Sequence, residues 1–265
     1  MLFRSDAEPD RWDLSSLLIM VSSGAMWSQP VKEALIGHIP QLTIFDSLGS
    51  SEAIGMGASY STKDNVSSTA RFDLGERAVV VRDDGELVTA GSGDIGRVGV
   101  EGLMPLGYYK DEVKTAATFP TINGVRYSLP GDFATIEPDG TITLLGRGSV
   151  CINTGGEKVF PEEVEEVLKT HPAVVDAIVV GVPDERFGQA IAAVVETSAA
   201  ADFAAGEIID HVKERLAHYK APRSVLPVAS LTRAPNGKVD YKKWTSFAAD
   251  AQESGTDRAA ANPSD

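Results

Sequence analysis

The sequence predicts a mixed α/β (α+β) fold in two parts, a β-rich first part followed by a small α/β unit. Three observations carry this. A length of 265 residues suits one large domain or two modest ones, with ample core for either. Residues 78–145 read as short strands cut by turns such as Asp83-Asp84-Gly85 and Pro138-Asp139-Gly140. After Gly146 the pattern changes to helix, strand, strand, helix, strand.

Taken in order, residues 1–12 read as surface chain. Residues 17–21 are an apolar run, expected to be a buried strand, and 29–38 a helix with Val31, Ala34 and Leu35 on its apolar face. Residues 42–45 form a second short strand, ending in the loop Asp46-Ser47-Leu48-Gly49-Ser50-Ser51-Glu52. The β-rich segment follows. Pro161 before Glu162 and Glu163 marks a first helical turn, with the helix running to about Lys169. Strands are expected at 174–182, 190–196 and 225–228. Ile208, Ile209, Val212 and Leu216 place a helix at 206–217. Beyond Phe247 the chain has no apolar period and predicts a disordered tail. The expected domains are therefore 1–147 and 148–247, with a tail at 248–265.

Composition narrows the function. With 24 Lys+Arg against 38 Asp+Glu, the net charge of −14 argues against a sequence-independent hold on nucleic acid or anionic membrane. It leaves room for an anionic cofactor held by backbone N–H groups and a few local charges. The single cysteine, Cys151, excludes an internal disulfide, and the four histidines show no ligand spacing. No apolar run is long enough for a signal h-region or a membrane span, so the expectation is a soluble, cytoplasmic protein.

Several motifs carry chemistry, each with a plainer reading beside it. Gly91-Ser92-Gly93-Asp94-Ile95-Gly96 fits a dinucleotide fingerprint, but no helical period follows, so a glycine-rich turn is the better reading. Ser50-Ser51-Glu52 follows a strand, where open α/β sheets place ligands. A hydroxyl beside a carboxylate suits Mg²⁺ and phosphate oxygens, although a solvated loop is the commoner use. Ser22-Ser23-Gly24-Ala25 is a small-residue turn, and Gly131-Asp132 read alone is a turn as well. Arg147 stands at the domain change, always charged. Gly155-Gly156 permits close backbone approach. Pro235-Asn236-Gly237 presents Lys238 at a loop tip.

Taken together, Gly146-Arg147-Gly148-Ser149, Gly155-Gly156, Pro161-Glu162-Glu163-Val164-Glu165 and the distant Lys238 resemble the carboxyl-terminal half of adenylate-forming (AMP-binding) enzymes, and among them the acyl-CoA synthetases of the fatty-acid type. The resemblance covers about residues 10–247. It makes the first part a remnant of the large AMP-binding domain and the second the small mobile domain. It implies that Lys238 and Glu52 are catalytic, with Glu52 on the metal. Ser51, Gly24, Ala25, Asp132 and Arg147 would bind nucleotide, Asp132 through the ribose hydroxyls. Gly155 and Gly156 would line the path of the thiol, and Ser149 would be the hinge. ATP, Mg²⁺ and coenzyme A are the implied ligands, with a fatty or other bulky apolar carboxylic acid as substrate. Leu48 stands where the family has an aromatic, Ser51 where it has threonine, and Pro130 where threonine precedes Gly-Asp.

The family's loop of the type Thr-Ser-Gly-Thr-Thr-Gly-x-Pro-Lys does not occur in this sequence. The expectation is thus a truncated synthetase, impaired on its own, with unflanked strands that favour self-association. Two alternatives stay open: an adenylation domain that loads a carrier protein, and a non-catalytic remnant or interaction module.

Overall fold

The computed structural model of the chain describes residues 11–24, 27–197, 204–233 and 240–254. Its contacts divide it into two compact units, Met1–Leu145 and Gly146–Asp265.

The first unit runs β1 (Ile19–Ser23), α1 (Gln29–His38), β2 (Thr43–Leu48), β3 (Gly57–Ser61), β4 (Arg71–Leu74), β5 (Ala78–Val81), β6 (Gly96–Glu101), α2 (Glu112–Thr118), β7 (Thr121–Ile122), β8 (Val125–Ile136) and β9 (Thr141–Arg147). Among the described residues these strands make one nine-stranded sheet, ordered β1-β2-β3-β4-β9-β8-β6-β5 with β7 on β8. Only β1 and β2 run parallel, and α1 is the crossover between them. Phe72, Val80, Val98 and Ile142 centre its main core.

Two expectations are corrected here. The first strand lies two residues later than the apolar run and is not buried. It is the sheet edge, so Leu18, Ile19 and Val21 are exposed. The helix has the expected bounds, but its fully buried residues are Lys32 and Ile36, while Val31, Ala34 and Leu35 are half-buried. An ionic partner beneath Lys32 turns the helix in this way. The glycine-rich stretch after Gly91 leads directly into strand β6, with no helix to meet a pyrophosphate.

The second unit runs β10 (Ile152–Thr154), β11 (Glu157–Val159), α3 (Pro161–Lys169), β12 (Val174–Asp184), β13 (Gly188–Thr197), α4 (Ala205–Lys213), β14 (Ser224–Val228) and α5 (Tyr241–Glu253). The sheet order is β11-β10-β13-β12, with β14 parallel on β13. Alternation along β12 feeds two cores. Ala177 and Val179 pack with Val164 and Leu168 of α3 and Ile208 and Val212 of α4. Ile178, Val180 and Val182 pack with Trp244 and Ala248 of α5. A strand covered on both faces needs no polar alternation, which is why residues 177–182 carry no polar side chain.

The expected start of the tail at residue 248 is also corrected, while residues 255–265 lie outside the described residues. Helix α5 continues to Glu253, and Ala248 is 1% exposed. Asp240 caps its first turn by accepting from the Lys243 N–H. Tyr241, Trp244, Ala248 and Ala251 recur at helical spacing and pack in one core, which carries the helix past Phe247. Among the described residues no helix is long and apolar enough to cross a membrane.

Candidate functional site

In the first unit the parallel pair aligns Ser23 with Ser47, so the turns leaving β1 and β2 depart from the same end. That is where open sheets offer ligand sites. Gly24 takes φ +82 there, a conformation natural to glycine. After β2 the chain closes on itself: the Ser50 hydroxyl accepts from the N–H of Glu52 (3.2 Å) and of Ala53 (3.1 Å). Ser51 is exposed and Glu52 half-buried. Leu48 packs partly against the unit's core, so its apolar face is already in use.

Two residues that the sequence did not single out hold Glu52. The Ser128 hydroxyl donates to its backbone carbonyl at 2.6 Å, and the Tyr108 hydroxyl donates to its Oε1 at 2.5 Å. The Tyr108 bond, helped by the charge of Lys114, holds the Glu52 carboxyl below the usual range. No local signal marks either residue, because they lie 56 and 76 positions away. Among the described residues no group of three or more His, Cys, Asp or Glu converges as a metal cage. One ionised carboxylate beside the Ser51 hydroxyl still fits Mg²⁺, which takes few protein ligands and completes its shell with water and substrate phosphate.

Asp132 sits within β8, in strand and not in a turn, and is 7% exposed. Opposite it, Val98 pairs with Asp132 and Val100 with Ser128, so β8 carries a bulge between these two residues. Pro130 cannot donate to the ladder, and Gly131 takes φ +103. The Pro130-Gly131 pair therefore makes the bulge that sets the direction of Asp132. Gly99 lets the strands close here, since a Cβ on it would collide with the Ser128 carbonyl.

In the second unit Arg147 and Ser149 are exposed, Arg147 ending β9 and Ser149 lying in the 3₁₀ turn Gly148–Val150. The Arg147 N–H donates to Glu162 Oε1 at 3.4 Å, and Gly146 leaves no room for a Cβ beside that carboxylate. Gly155-Gly156 is the tip of the hairpin joining β10 and β11, with φ +60 and +92. Two successive positive φ values are what a tight two-residue hairpin demands. The Gly155 N–H donates to the Phe187 carbonyl at 2.9 Å, and a Cβ on Gly155 would meet the Phe187 ring at 3.1 Å. Gly156 is open, with nothing within 4 Å of its Cβ position. Ala25 and Lys238 lie outside the described residues.

The second unit also holds a carboxyl to which the sequence reading gave no role of its own. Glu165 on α3 is 5% exposed and accepts from the Val179 N–H (2.9 Å) and the Tyr241 hydroxyl (3.1 Å). Burial pushes its pKa up to about 7, against the pull of those hydrogen bonds. Asp176 on β12 binds Arg233 through two contacts, at 2.6 and 2.8 Å.

Residues 163–238 match the family model of the AMP-binding enzyme C-terminal domain. A medium/long-chain-fatty-acid–CoA/3-oxocholest-4-en-26-oate–CoA ligase of Mycolicibacterium smegmatis is 50% identical over 233 residues, 87% of this chain and 42% of that protein. A 3-oxocholest-4-en-26-oate–CoA ligase of Rhodococcus rhodochrous is 48% identical over 234 residues, with the same coverage. The chain thus spans less than half the length of these relatives. Among solved structures, the anthranilate CoA ligase AuaEII in complex with anthranoyl-AMP superposes with a TM-score of 0.76 at 26% identity, covering 95% of this chain and 48% of that one. The chain carries an AMP-binding enzyme C-terminal domain and is similar, across most of its length, to the carboxyl-terminal part of acyl-CoA ligases of the adenylate-forming superfamily.

Proposed function

We propose that this chain contributes to an acyl-CoA ligase that activates a medium- or long-chain fatty acid, or a steroid carboxylic acid, with ATP and then transfers the acyl group to coenzyme A. The observation that carries this reading is the 50% identity to a fatty-acid and steroid-acid CoA ligase over 87% of the chain. The open, all-glycine hairpin tip within the second unit supports it.

In the first half-reaction the substrate carboxylate attacks the α-phosphate of ATP and pyrophosphate leaves. Lys238 is proposed to bridge the two anions through its ammonium and offset the charge that builds in the transition state. Asp132 would accept from the ribose hydroxyls, with Gly24, Ala25 and Ser51 at the strand ends and Arg147 on ribose and phosphate. Glu52 would hold Mg²⁺, whose charge would offset that of the phosphates. In the second half-reaction the thiol of coenzyme A attacks the acyl carbonyl and AMP leaves. Gly155 and Gly156 would let the pantetheine arm approach backbone, and Ser149 would turn the second unit between the steps. Residues 1–147 then belong to the large AMP-binding domain and 148–247 to the mobile small one.

The test separates the half-reactions. The chain is supplied with octanoyl-adenylate and coenzyme A, and octanoyl-CoA is measured. Thioester above blank is expected, lost in Gly156→Trp and retained in Lys238→Ala, whose charge serves only the first transition state. No thioester from the wild type, or equal loss in both variants, would overturn the reading.

A further inference from the structure

The largest fully buried side chain among the described residues is a lysine. Lys32 of α1 is 1% exposed, and its ammonium meets the Asp46 carboxylate of β2 at 3.4 Å and donates to the Ser67 hydroxyl at 3.0 Å. Ser67 is held in turn by Ser61 (2.8 Å) and Ser59 (3.3 Å) of β3. Asp46 also accepts from the Ser22 hydroxyl of β1, its register partner. One ammonium therefore ties the crossover helix to three successive strands. A buried ion pair is weak evidence for stability, because desolvating two charges offsets most of their attraction. Its best-attested use is to specify register.

Register is what β1 lacks by other means. It is an edge strand paired only with β2 among the described residues, and Ile19 and Val21 on its outer face are 63% and 65% exposed. Its inward side offers Met20 alone to the small apolar cluster around Ile44, followed by Ser22. A slip of two residues would bring Leu18 to Ile44, which apolar packing tolerates. The same slip would bring Met20 to Asp46 and withdraw the Ser22 hydroxyl from a carboxylate that is 4% exposed. Leaving a buried charge short of a donor is strongly unfavourable.

We propose that the Lys32–Asp46 pair sets the register of β1 on β2, and thereby keeps the Gly24 turn beside the Ser50–Glu52 turn. Lys32, Asp46 and Ser22 are then positioning residues for the nucleotide site. The inference rests on the reading of those two turns as that site.

The test is the double variant Lys32→Met/Asp46→Leu in the full chain, with Ser22→Ala as a second variant that keeps the ion pair. Cross-strand proton contacts between Met20 and Ile44 and between positions 22 and 46 report register. Affinity for AMP by calorimetry reports the turns. The double variant is expected to unfold in urea at or above the wild-type midpoint, to lose or duplicate the cross-strand contacts, and to bind AMP at least tenfold more weakly. Ser22→Ala is expected to show duplicated contacts with little change in midpoint. Wild-type contacts in both variants would overturn the proposal, as would a loss of AMP binding that merely follows a fall in the urea midpoint. If the wild type itself binds no AMP, the nucleotide reading of the turns fails, and the cross-strand contacts decide the register inference alone.

Discussion

Replacing Glu165 with glutamine should remove a pH dependence from the stability of the second unit. Burial raises the Glu165 carboxyl from its ordinary 4.5 to about 7. Around it, Glu162 adds to the rise, while the Val179 N–H, Lys169 and the Tyr241 hydroxyl oppose it. A folded-state value above the unfolded one means that the native state binds the proton more tightly. The stability so contributed is full below pH 4.5, falls as pH climbs toward 7, and is gone above it. The difference between 4.5 and about 7 corresponds to about 3 kcal/mol at about 1.36 kcal/mol per pH unit. Glutamine keeps an oxygen for the Val179 N–H and the Tyr241 hydroxyl but cannot titrate. The assay is urea unfolding followed by Trp244 fluorescence, in a background with Trp12→Phe and Trp27→Phe, from pH 4.5 to 8.5. The stability difference, wild type minus Glu165→Gln, should fall by about 3 kcal/mol across that window. A difference that stays constant would refute the reasoning, because it would mean that Glu165 binds its proton equally well in the folded and unfolded chains.

Other outcomes follow from the same structure. Gly155→Ala, at φ +60 and with Phe187 at 3.1 Å from the new Cβ, should lower the stability of the second unit by about 1–2 kcal/mol, read by the same urea titration. Gly156→Ala meets no side chain and should cost only its backbone strain. Ending the chain after Phe247 should destabilise the second unit by removing the buried Ala248 and the last turns of α5, whereas ending it after Ser254 should not; equal melting temperatures would count against α5 as part of the core. Trp244→Ala should cost about 3–5 kcal/mol through the cavity left among Ile178, Val180 and Leu226.

The sequence by itself determined the elements whose cause is local. Pro161 with two acids after it gives α3 its start and Lys169 its end, in agreement with the structure. The bounds of α1 are equally local, and the apolar residues of β12 and β13 announce strands. The motif residues around Gly146, Gly155 and Pro161 likewise pointed to the family. Tertiary structure decided what depends on partners far along the chain. Lys32 is buried because Asp46 and Ser67 reach it, and Ser67 is 35 positions away. Glu165 is buried beside Tyr241, 76 positions on, and that burial raises its pKa against the pull of the Tyr241 hydroxyl. The exposure of β1 follows from its place at the sheet edge, and the aim of Asp132 from the register of β8 against β6. Periodicity and capping encode the local energy of a segment. The burial of a charge depends on which distant group arrives to offset its desolvation, and only the assembled fold supplies that group.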